Sequence, residues 1–180
     1  MNCWKSYNLN KEFGINRIII MSAFVALASF ILLYVPISTF HGAQNAKDTG
    51  IYFFIIAIIF LFPMHTFMHM LPLIILKKSV KPAILNHSKL PLFTYYANEP
   101  LAKNISLFVT LAPTICITLP LLAASIILAD YYVYVLLIAA LHIGITYTDF
   151  LYVAQIYKAP KKAYVENDVD GFDILIKNAD

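Results

Sequence analysis

Two histidines four residues apart, His65 and His69, lie inside the apolar stretch Pro63-Met64-His65-Thr66-Phe67-Met68-His69-Met70-Leu71-Pro72. On a helix this spacing puts both imidazoles on one face with Cβ atoms about 5–6 Å apart, a separation from which two side chains can grip one metal ion. Two histidines do not complete a zinc site, so a further ligand must come from elsewhere. In a second apolar stretch, His142, Thr146 and Asp149 recur at spacings of four and three and form a polar stripe facing the bundle interior. Ionisable groups within hydrocarbon are costly, and their positions are therefore informative. A plainer reading stands beside this one: neutral histidines hydrogen-bonded across helices, with Asp149 paired to Thr146 or to a tyrosine. His41 and His87 fall in expected loops and read as solvated, and Met64, Met68 and Met70 read as packing in an apolar helix rather than as copper ligands. Pro63 and Pro72 bracket the histidines and are expected to loosen the helix there.

The elements that must position these groups follow from composition. Of the 180 residues, 61% are apolar and only 13% are charged, against about 45–50% and about 25% in ordinary soluble domains. The apolar residues lie in blocks and the charges fall between them, so the solvent around much of this chain is read as lipid. Four segments, residues 17–40, 51–76, 105–129 and 131–157, can each cross a hydrocarbon core of about 30 Å. The first is too long for the apolar region of a signal peptide and is expected to remain in the mature chain. The expected architecture is an all-α membrane protein: a four-transmembrane-helix bundle forming a single integral membrane domain over residues 1–180. A short cytoplasmic loop element (77–104) and an extended cytoplasmic tail (158–180) complete it.

Lysines set the orientation. Lys5, Lys11 and Arg17 precede the first span, Lys77, Lys78, Lys81, Lys89 and Lys103 follow the second, and Lys158, Lys161 and Lys162 follow the fourth. With four spans all three clusters fall on one side, which places both termini in the cytoplasm. The turns at residues 41–50 and at Asp130 fall on the other side, and spans three and four form a tight helical hairpin. Pro82, Pro91 and Pro100 exclude one long helix from the 77–104 connection. Its apolar runs 82–85 and 92–97 are expected to form a short hairpin resting on the membrane surface, and residues 163–165 and 172–176 a second extended element around the turn 168–171. The net charge of +3 is topological, with no basic, aromatic-interleaved stripe for nucleic acid. Cys3 and Cys116 are read as free thiols, which excludes a disulfide framework. The chain carries no Gly-rich phosphate loop and no serine-hydrolase elbow.

The lysines also serve as depth markers. His69 is eight residues from Lys77 and His65 twelve, roughly 12 and 18 Å above the cytoplasmic edge at 1.5 Å per residue. Asp149, nine residues before Lys158, stands roughly 13–14 Å above the same edge. The three groups share a depth, and spans two and four are expected to be neighbours.

The chain resembles a domain-of-unknown-function family described as "putative zincin peptidase", small bacterial membrane proteins related to intramembrane site-2 proteases. The resemblance covers most of the chain and rests on Met1-Asn2-Cys3-Trp4-Lys5, His65-Thr66-Phe67-Met68-His69, Leu111-Ala112-Pro113, Thr148-Asp149-Phe150-Leu151-Tyr152 and the tail from Lys158 to Phe172. It implies a bacterial cell-membrane location and zinc held by His65, His69 and Asp149. It also implies a His-Glu-x-x-His motif in which the glutamate is the general base for the attacking water. Here that position is Thr66, whose hydroxyl cannot take a proton near neutral pH as a carboxylate does.

Three functions are compatible with these residues. The first is a pseudoprotease that binds membrane partners such as single-span proteins, in the lipid bilayer, with a retained metal. The second is an active metalloprotease with another base such as His142. The third is a structural or regulatory subunit without metal.

Overall fold

The computed structural model describes residues 1–42, 47–85, 92–97, 99–168 and 171–177. Helices dominate: α1 (Leu9–Phe13), α2 (Ile15–His41), α3 (Ile51–Ile75), α4 (Lys103–Pro113), α5 (Leu119–Ile127), α6 (Tyr132–Ile145) and α7 (Tyr147–Lys158). The all-α expectation is nevertheless too narrow. Strands β1 (Asn2–Asn8), β4 (Leu101–Ala102), β5 (Ala163–Asp168) and β6 (Gly171–Ile176) form an antiparallel sheet in the order β1-β6-β5-β4. Strands β2 (Val80–Leu85) and β3 (Leu92–Ala97) pair antiparallel as the hairpin expected from their apolar runs. The β5–β6 pair is the extended element expected in the tail, whereas β1 was unforeseen: residues 2–8 read as a charged leader to the first span. Residues 86–91, which include His87 and Lys89, and the turn residues 169–170 lie outside the described residues.

The chain divides into two compact units, one made of Met1–Ile18, Thr66–Ala112 and Asp149–Asp180, the other of Ile19–His65 and Pro113–Thr148. In the first, strand periodicity builds the core. Alternate residues Phe172 and Ile174 of β6 and Ala163 and Val165 of β5 turn inward and pack with Tyr7, Ile156 and Ala159, as a sheet with one covered face requires. Tyr7 stacks on Phe172 with ring centroids 5.3 Å apart. Gly171 faces β1 so closely that a Cβ there would collide with the Tyr7 carbonyl oxygen. A second cluster joins Leu73, Leu101 and Val109. Asn8 accepts the Lys11 amide through Oδ1 at 2.9 Å and so caps α1. The Lys103 ammonium bonds the Tyr157 and Ala159 carbonyls and satisfies the C-terminal end of α7.

The second unit is helical. Helix α2 runs two residues beyond the expected span at its start and ends on Gly42, whose φ of 75° and amide bond to the Ser38 carbonyl make a left-handed C-terminal stop. His41 is not the solvated loop residue expected. It is the last residue of α2, its Nε2–H donates to the Ser125 carbonyl at 2.9 Å and its ring lies 5.1 Å from Tyr132. Helices α5 and α6 form the expected tight hairpin around Asp130. The turn at Asp130 is tied to the α2–α3 connection twice, by the Lys47 amide on the Asp130 carbonyl at 2.9 Å and by the Lys47 Nζ on Oδ2 at 2.6 Å.

Regular helix is interrupted in two places close to the polar residues. Between α4 and α5, residues Thr114–Thr118 are π-helical, with the Leu119 amide bonded to the Thr114 carbonyl. Pro120 comes directly after and has no N–H for the Cys116 carbonyl, so the widened turn resolves a helix that proline would otherwise break. Helices α6 and α7, expected as one span, are bent by 42° relative to each other. Thr146 and Thr148 turn their hydroxyls onto the carbonyls of Ile143 and Ile145, and with Gly144 beside them they compete with the regular ladder at the bend. Pro63 and Pro72, by contrast, leave α3 continuous.

Candidate metal centre

Helix α3 carries both histidines one turn apart, and each is about nine-tenths buried. Asp149 comes from the first turn of α7 and is buried to the same extent. One ligand atom from each of His65, His69 and Asp149 lies within 4.8 Å of those of the other two, so the three residues matched by depth in the sequence do come together. Thr146, the third member of the stripe, donates instead to its own helix. Asp149 meets His69 and not the threonine: the His69 Nε2 to Asp149 Oδ1 distance is 3.4 Å.

That spacing suits an ion. Two donors at about 2.1 Å on a tetrahedral centre stand about 3.4 Å apart. The donor set, two imidazoles and one carboxylate, is that of a zinc centre with a fourth position open. The residues present therefore fit the metal.

The proton on His69 is assigned by its other nitrogen. Nδ1 lies 2.9 Å from the Val109 carbonyl oxygen, which only accepts, so Nδ1 must carry an N–H, and in the neutral ring this leaves the lone pair on Nε2, the nitrogen that faces Asp149. Val109 has this carbonyl to offer because the residue four ahead is Pro113, without an N–H to close the helical bond. A backbone carbonyl on the Nδ1–H is the usual support for a histidine that ligates through Nε2. Sequence reading passed over Val109; the signal was a proline four residues on, in an apolar helix.

His65 is held differently. Its Nδ1 lies 3.2 Å from His142 Nε2 with the rings edge to face, and His142 Nδ1 lies 2.7 Å from the Thr118 hydroxyl. His142, expected on the polar stripe, is fully buried and stands behind His65 with both its nitrogens engaged. Thr66 is half-buried on the same helix. The three glutamates of the sequence, Glu12, Glu99 and Glu166, are all exposed.

Among the described residues, three helices are long and apolar enough to cross a membrane, or four if the bent α6–α7 pair is one span. With the buried His-x-x-x-His pair and its carboxylate, they define a zincin-like chain built on apolar helices. A family model described as "Putative zincin peptidase" matches residues 58–164, more than half of the chain, and the protein belongs to that family. The matched range contains His65, His69, Pro113, Thr118, His142 and Asp149. No curated protein and no solved structure matches the chain.

Proposed function

We propose that this is a zincin-type integral membrane protein of the bacterial cell membrane, termini cytoplasmic, in which His65, His69 and Asp149 hold a zinc ion and peptide hydrolysis has been lost. It acts as a pseudoprotease that binds single-span membrane proteins without cutting them. The observation that carries the reading is the buried His65/His69/Asp149 group beside Thr66 at the position where the family motif has its glutamate.

A bound zinc ion would supply Lewis-acid polarisation of a carbonyl. The chain's own residues do the rest. His69 keeps its proton at Nδ1 on the Val109 carbonyl and offers Nε2, Asp149 offers a carboxylate oxygen, and Thr66 can hydrogen-bond a substrate but cannot remove its attacking water's proton near neutral pH. Loss of a general base costs about 10²–10⁴ in rate, which supports binding without turnover.

Metal analysis of detergent-purified protein tests the centre. Wild type is expected to carry one zinc per chain and His65→Ala and Asp149→Ala to lose it; zinc-free wild type, or variants that keep the metal, would leave only a structural role for these residues. Thr66→Glu tests the lost base: the variant is expected to cleave single-span model substrates at least a hundredfold faster than wild type. Robust cleavage by wild type would overturn the pseudoprotease.

A further inference from the structure

His142 is the deepest ionisable side chain near the metal centre, and neither its burial nor its geometry makes it a ligand. Its Nε2 faces His65 Nδ1 at 3.2 Å and its Nδ1 faces the Thr118 hydroxyl at 2.7 Å, so both ring nitrogens are committed. The three groups form one line: His65, His142, then Thr118 at the end of the π-helical segment.

Such a line has two polarities. In one, Thr118 donates to His142 Nδ1, His142 Nε2–H donates to His65 Nδ1, and His65 carries its proton on Nε2, which blocks ligation there. In the other, His65 Nδ1–H donates to His142 Nε2, and His142 Nδ1–H donates to the Thr118 oxygen. Only the second frees His65 Nε2, matching the tautomer that the Val109 carbonyl imposes on His69.

We propose that His142 and Thr118 are positioning residues that fix the tautomer and ring orientation of His65 for metal binding, with His142 acting through its Nε2 lone pair and Thr118 as the acceptor that keeps the His142 proton on Nδ1. The proposal rests on metal binding by His65, His69 and Asp149. It makes a side chain do for His65 what a proline-freed backbone carbonyl does for His69. The regular ladder of α3 fixes where the two Cβ atoms stand but leaves each ring free to rotate, so two separate supports are needed. The π-helical turn has a role here too, since it ends on the threonine whose hydroxyl meets His142.

The test uses the full chain in detergent, with Co²⁺ titration by absorption, Zn²⁺ competition, and nitrogen NMR of ¹⁵N-histidine-labelled metal-free protein. Metal affinity is expected to fall about 10–100-fold in His142→Ala and in Thr118→Val, and His65 is expected to leave the Nδ1–H tautomer in both. His142→Gln, whose amide can accept from His65 and donate to Thr118, is expected to recover most of the affinity and serves as the variant least disruptive to packing. Unchanged affinity and an unchanged His65 tautomer in His142→Ala and Thr118→Val would overturn the proposal. So would complete loss of metal in His142→Gln, equal to that of His65→Ala, because His142 would then be a ligand. If wild type binds neither metal, the metal centre itself fails, and the tautomer of His65 alone decides for or against its control by His142.

Discussion

Val109 shows how one residue's chemistry is set by another's deficiency. In an unbroken helix its carbonyl would take the amide of residue 113, but Pro113 has none, and the His69 Nδ1–H takes that place at 2.9 Å. Proline inside a helix costs about 3 kcal/mol or more, so the arrangement trades stability for a fixed imidazole. Pro113→Ala is therefore expected to raise the thermal unfolding midpoint in detergent and to weaken zinc binding, by up to about tenfold, as the restored amide competes for the carbonyl. A variant that gained stability with unchanged zinc affinity would show that the carbonyl does not orient His69.

At the scale of elements, close helix contact and charged turns can be tested separately. A Cβ on Gly144 of α6 would lie 2.7 Å from the Ala26 Cβ and 2.8 Å from the Ser22 carbonyl oxygen of α2, so these helices touch through small residues that let their backbones approach closely. Gly144→Val must push α2 away, and overpacking of this kind costs about 1–3 kcal/mol; thermal unfolding would register it, and an unaltered midpoint would deny the contact. The Lys47–Asp130 pair is exposed, and the carboxylate beside Lys47 holds its pKa above the ordinary lysine value. A raised lysine pKa means that the linkage is fully present below the ordinary value and is lost only as pH rises through the raised one. Stability of Lys47→Met relative to wild type should thus be flat with pH from about 6 to 9, with a small difference that shrinks in high salt. A difference that titrates within that range would point to another group.

Across the whole molecule, the sheet gathers strands far apart in sequence. Strand β1 lies beside β6, and β4, just before α4, lies on β5. Tyr7 is 3% exposed although it comes after five exposed residues of the same strand, so it anchors β1 by burying its ring on Phe172. Tyr7→Ala is expected to cost about 3 kcal/mol, as large-to-small changes of buried aromatics do, and to open residues 1–8 to protease while α2 and α3 stay protected. Equal protection of the variant and wild type would show β1 held by its backbone bonds alone.

Hydropathy made the helices legible: α2 and α3 fall within two residues of the segments read from the sequence, because each is apolar over nearly its whole length, a signal that needs no distant partner to be read. Helical period likewise fixed the His65 and His69 pair, and the positions of the lysines matched Asp149 to them in depth. The hairpin β2–β3 and the pair β5–β6 were also visible, as apolar runs split by turn residues. Strand β1 was not, because Asn2-Cys3-Trp4-Lys5-Ser6 turns to solvent and only Tyr7 is buried, so its state depends on a partner at the far end of the chain. The bend at Thr146 was hidden for a similar reason: threonine hydroxyls choose between solvent, neighbours and their own helix only once packing is set. Tertiary structure alone decided which polar groups meet. The sequence supplied two imidazoles on one helix face and a carboxylate at matching depth, but a proton's place on a ring depends on the atom opposite its other nitrogen. For His69 that atom is the carbonyl released by Pro113, and for His65 it is the nitrogen of His142.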